Sequence, residues 1–196
     1  MRDISPAENC SAEEFLERSP ASVRAVAQKI RAEKRTGLRL KPSTSLLDES
    51  RVLGADKRRF LLDRVTALVD ENLFGRAEMC QQFANLLARS LAELGLLARP
   101  MMGEATYLDT VGRELFRWQH AWVRIGDEVV DGNVDALYEN PMVPASVSVR
   151  PYWGHIRNTP ADRRLRASSL LRFPSDGDVE KIWWPELRDW LHTHLM

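Results

Sequence analysis

Cys80, His120 and Asp131 are the residues of this chain whose types and surroundings could do chemistry together. A thiol is a weak nucleophile until it loses its proton, and an imidazole within hydrogen-bond reach can take that proton. A carboxylate behind the imidazole fixes its tautomer and stabilises the imidazolium. In that arrangement Cys80 is the nucleophile, His120 the general base and acid, and Asp131 the orienting group. The thiolate attacks a carbonyl carbon, and water or an amine resolves the thioester, with no cofactor and no metal. The passing oxyanion needs two donors. The Cys80 backbone N–H is the natural first one, and Gln81, Gln82 and Gln119 are candidates for the second.

Three elements must bring these groups together. A helix predicted over 77–94 holds Cys80 about a turn inside its start, where unpaired N–H groups and the helix dipole favour a thiolate. Cys80 also shares its spacing with Phe83, Leu87 and Leu91, which is the pattern of a packed core. Cys10 lies in a polar segment and is incidental. His120 opens the stretch HAWVRIG, and Gly126 and Asp127 form a plausible two-residue hairpin turn. That turn pairs Ile125 with Glu128, Arg124 with Val129, Val123 with Val130 and Trp122 with Asp131. Side chains alternate between faces, so His120, Trp122, Asp131 and Asn133 share one face, with Asp131 diagonal to His120. A three-residue turn would put Asp131 on the opposite face.

Around this core the chain reads as α+β: N-terminal helices, the Cys80 helix packed on a small antiparallel sheet, and a C-terminal helix. A single domain is expected over 1–196, with a helical subregion at 1–72, the core at 75–135, and a loop and helix at 136–196. Ser11 could cap a first helix over 11–19, and a second is predicted over 21–37 with Gly37 as its stop. The stretch 38–54 reads as a connector, and a third helix is predicted over 55–72. After the stop at Gly95, strands are predicted at 97–107, 117–125 and 128–134. The stretch 136–160 reads as a long ordered loop, or short strands joined by turns, and a last helix is predicted over 179–194.

The runs MCQQFANLLARSLAELGLLARPMMG and HAWVRIGDEVVD resemble the core of the transglutaminase-like superfamily, within the wider papain-like group. The resemblance covers about residues 75–135. It implies a nucleophilic Cys80 at a helix N-terminus, with His120 and Asp131 on neighbouring strands. His120 and Asp131 are eleven residues apart, closer than in protein-crosslinking members, which suits a compact hydrolase or deamidase. The aspartate is not followed by the Pro common in the larger enzymes, so Asn133 and Asp135 stay open as alternatives to Asp131. The implied substrate is a peptide, a protein or a small amide. A non-catalytic relative that only binds, and a metal-assisted hydrolase using Cys80, His120, Asp131 and His155, are the competing readings.

The chain has 196 residues with 28 Lys plus Arg and 28 Asp plus Glu, so its net charge is zero. A balanced chain lacks the general attraction to polyanions of a nucleic-acid binder. No apolar run is long enough for a membrane span, and the start MRDISPAENC has no apolar stretch, so a reduced, cytoplasmic protein is expected. Two cysteines make neither a disulfide scaffold nor a four-thiolate zinc site. The cluster Arg163, Arg164 and Arg166 reads as a solvated face. His192 and His194 lack a third metal ligand, and Trp183, Trp184 and Trp190 read as packing residues. Tyr138, Tyr152 and Trp153 follow the core in an irregular stretch, and Tyr152 and Trp153 are expected to line a substrate groove.

Overall fold

The computed structural model describes residues 44–70, 78–140, 142–171 and 179–196, with isolated positions 20, 21, 24, 25, 28, 29, 32, 76 and 177. Residues 21, 24, 25, 28, 29 and 32 are helical, as the periodicity of that segment predicts. The first predicted helix, Gly37 and Cys10 lie outside the described residues.

Three α-helices and a six-stranded open sheet make up the described α+β fold. The helices are α1 (Ala55–Asp70), α2 (Cys80–Glu93) and α3 (Trp184–His194). The strands are β1 (Leu46–Leu47), β2 (Ala98–Leu108), β3 (Glu114–Ile125), β4 (Glu128–Asp131), β5 (Tyr152–His155) and β6 (Arg163–Leu170). Their order is β1-β5-β4-β3-β2-β6, with only β1 and β5 parallel. No helix among the described residues is long and apolar enough to cross a membrane.

α2 carries Phe83, Leu86, Leu87 and Leu91 at spacings of three and four, and all four are buried against one face of the sheet. Ala121, Val123, Ile125, Val130 and Trp153 meet them from the strands, and Leu61, Leu62, Val65 and Leu68 from α1 complete the layer. Each such side chain contributes roughly 1.5–3 kcal/mol by leaving water. On the other face, Tyr107 and Ala105 pack under Val134, Leu137, Val143, Val147 and Val149 of the segment after β4.

The hairpin forms with the predicted register: Ile125 faces Glu128, Arg124 faces Val129 and Val123 faces Val130. Gly126, at φ +55°, takes the left-handed conformation such a two-residue turn needs. The structure corrects the sequence reading elsewhere. α2 begins at Cys80, so the thiol stands on its first residue. β4 ends at Asp131, because Val134 turns into a 3-10 helix over Val134–Glu139. β1 lies within the expected connector, and β6, a full partner of β2, was not foreseen. Its alternation carries arginines on both faces, so hydropathy alone hides it.

Gly103 sits where β2 meets a register shift against β6, and a Cβ there would lie 2.1 Å from the Arg166 carbonyl oxygen. Backbone cannot yield as a side-chain tip can. Gly103→Ala is therefore expected to part β2 from β6 and cost about 2 kcal/mol or more in urea denaturation.

Candidate active site

Cys80 is the first residue of α2, following Met79, which supplies no side-chain cap. The helix therefore starts with N–H groups that no helical carbonyl accepts, and the Gln81 N–H helps to lower the Cys80 thiol. The Ala121 N–H, facing the thiol, lowers it as well. The register explains that donor. Ile125 and Glu128 flank the turn as a hydrogen-bonded pair, so Val123 and Ala121 also point their N–H groups toward β4. The ladder ends at Val123 and Val130, and one rung further on the sulfur takes the place of a strand.

His120 is 1% exposed and Asp131 is not exposed at all. The imidazole Nε2 donates to Asp131 Oδ1 at 2.7 Å. The thiol lies close enough to the same ring for each to shift the other's pKa, and Nδ1 is the ring nitrogen that Asp131 leaves available. The structure thus brings together the three residues singled out from the sequence. The diagonal placement of His120 and Asp131 is what the two-residue turn requires.

A fourth member was missed. Arg163, expected to be solvated, is 3% exposed and donates from Nη1 to Asp131 Oδ2 at 2.7 Å. Its Nε binds Asp162 and its Nη2 binds the Arg150 carbonyl. Finding it would have required knowing that residue 163 starts a strand. Tyr107, which pairs with Arg163 across β2 and β6, is fully buried, and its hydroxyl has no hydrogen-bond partner among the described residues.

The charges around Asp131 set the protonation of the site. Burial pushes the Asp131 carboxyl up, but His120 and Arg163 more than offset it and hold it below its usual range. Burial pulls His120 down, yet Asp131 and then Cys80 raise its pKa to about 10. Burial pushes the Cys80 thiol up, and the His120 hydrogen bond, the His120 charge and the Ala121 and Gln81 N–H groups bring it below its ordinary value. A depressed thiol beside a raised imidazole shifts the pair toward thiolate and imidazolium. Tyr107 is raised well above the normal phenol by burial and then by Asp131, so it stays protonated.

The alternatives to Asp131 are engaged elsewhere. Asp135 grips Arg76 with both oxygens at 3.0 and 3.1 Å. Asn133 accepts from Arg76 Nη1 and donates to the Arg76 carbonyl at 2.8 Å. Tyr152 and Trp153 do not line a groove. Tyr152 lies opposite Asp131 in β5, packed with Trp122 and Val129, and its hydroxyl donates to the His155 carbonyl. Trp153 is fully buried in the helix-side core and donates its indole N–H to Glu128. β5 is an interior strand, so packing consumes the surface that a loop would have offered to substrate. Tyr138 lies in the 3-10 helix. Gln119 is exposed on β3. His155 faces Glu128, three rungs from the Asp131–Tyr152 pair, and so stands apart from the thiol. His192 binds Glu93, and His194 stacks on Trp190.

Arg163→Ala would leave the buried Asp131 charge half-compensated. It is expected to cost about 3–5 kcal/mol in urea denaturation. Tyr107→Phe removes only an unpartnered hydroxyl, so its denaturation midpoint should equal or exceed that of the wild type; a loss above about 1 kcal/mol would reveal a hydrogen bond to the phenol. Compared with family models, with curated proteins and with solved structures, the chain matches none.

Proposed function

We propose that the protein is a thiol enzyme that cleaves or transfers an acyl group from an amide or peptide through a Cys80 thioester. The observation that carries this reading is the juxtaposition of the Cys80 thiol, the His120 ring that lowers its pKa, and Asp131, with 2.7 Å between His120 Nε2 and Asp131 Oδ1. The row has the order that nucleophilic catalysis needs: nucleophile, proton carrier, orienting anion.

In the proposed cycle the Cys80 proton resides on His120, and the thiolate sulfur bonds to the substrate carbonyl carbon. The carbonyl electron pair moves onto oxygen, and N–H groups at the start of α2 stabilise that charge. The oxyanion then re-forms its double bond, the carbon–nitrogen bond breaks, and the leaving amine takes the proton from His120. Water or a second amine next attacks the thioester carbon as His120 accepts its proton. As that intermediate collapses, the carbon–sulfur bond breaks, and the Cys80 thiolate and the protonated His120 are restored. Asp131 stays ionised throughout, held by Arg163.

The burial of Cys80, 6% exposed and packed in the helix-side core, favours a second reading. In it the same fold binds a peptide or protein without chemistry, and the thiol is a packed core residue.

Labelling separates the two. Iodoacetamide at neutral pH should modify Cys80 faster than Cys10, and the rate should persist below the usual thiol range. His120→Ala should slow the Cys80 reaction about 100-fold and move its pH profile upward, because desolvation of the thiol remains while the imidazole is gone. Incubation with p-nitrophenyl acetate should acetylate Cys80, seen by mass spectrometry and absent in Cys80→Ser. Equal, slow labelling of both cysteines would support the binding module.

A further inference from the structure

The face of the sheet that carries His120 ends, near the β3–β4 turn, in an arrangement that costs stability without serving the thiol. Arg99 on β2 and Arg124 on β3 are direct cross-strand partners. Directly opposed residues project from the same face, and like charges in that position repel. Neither arginine meets a carboxylate within 4 Å among the described residues; Arg124 reaches only the Gly126 carbonyl at 3.3 Å. One step inward lies an apolar row, Leu170, Met101 and Trp122, aligned across β6, β2 and β3. Leu97, 76% exposed, and Leu170, 56% exposed, flank a groove of about 320 Å³ that Arg99, Met101, Arg124 and Gly126 also line.

We propose that this groove docks an extended acidic and apolar peptide segment of a partner protein. Two guanidinium groups side by side match carboxylates, which accept paired N–H donors from a planar fork. The cationic and apolar rows stand two residues apart along the strands, roughly 7 Å. An extended peptide repeats its side chains on one face at the same interval, so a carboxylate over the arginines places an apolar side chain over Met101 and Leu170. The charge pattern disfavours larger polyanions. The whole chain is neutral, and two arginines fall short of the basic clusters that hold membranes or nucleic acid. A bound carboxylate also removes the repulsion between Arg99 and Arg124, so the free protein bears a cost that the complex relieves.

The test is fluorescence anisotropy with a fluorescein-labelled peptide of repeated Glu-Ser-Leu-Ser units and the full chain. Saturable binding that weakens with salt is expected, with no binding of the matching Lys-Ser-Leu-Ser peptide. Arg99→Gln with Arg124→Gln should weaken binding about 10-fold or more. The same double variant should keep or raise the urea midpoint, which arginines serving only to hold the sheet would lower. Arg124→Glu provides a second variant with the same expected loss of binding. The proposal is overturned if the acidic peptide fails to bind, if the basic peptide binds equally, if the variants bind unchanged, or if vesicles of phosphatidylserine are captured in its place.

Discussion

A carboxylate with no contact to water is the constraint on which the rest of the structure depends. Asp131 is completely buried, and an isolated charge there would cost far more than a small domain can spare. Two cations neutralise it from either side, His120 on Oδ1 and Arg163 on Oδ2. The same imidazolium lowers the Cys80 thiol, so sulfur, ring, carboxylate and guanidinium form one electrostatically coupled row. Arg163 secures the ionised Asp131, Asp131 secures the proton on His120, and that proton lowers the thiol. The chemistry proposed for Cys80 therefore reaches back to a residue that never meets a substrate.

The fold supplies the gap in which this row sits. Beyond Val123 and Val130 the β3–β4 ladder stops, and the Ala121 N–H turns to the sulfur instead of a strand. α2 starts at Cys80 and packs its apolar stripe on the face of the sheet that bears Ala121 and Val123. Arg76, gripped by Asp135 and Asn133, ties the approach to α2 to the segment after β4. The Cys80 end of the row is thus anchored by the apolar packing of α2 and by the buried Arg76–Asp135 pair.

Two arrangements mark places where local stability is given up. The buried Tyr107 hydroxyl has no hydrogen-bond partner among the described residues, and the Arg99–Arg124 pair sets like charges face to face. Natural sequences keep such costs chiefly where something other than folding benefits. The arginine pair has a groove beside it and chemistry that names its complement. The tyrosine lies in the field of Asp131, Arg163 and Cys80, where burial and Asp131 keep its phenol protonated.

Short-range physics made much of this legible in the sequence. The spacing of Phe83, Leu87 and Leu91 wrote the helix, and the Gly126–Asp127 turn fixed which residues face each other. Those two facts alone put His120 and Asp131 on one face, because the side-chain period of a strand is two. Tertiary structure decided what lay beyond such periods. Arg163 reads as a surface charge until β6 lies against β2 and turns it onto Asp131, and Tyr152 and Trp153 read as loop aromatics until β5 inserts between β1 and β4. Hydropathy records whether a residue can be buried, whereas burial itself is settled by neighbours that arrive from far along the chain.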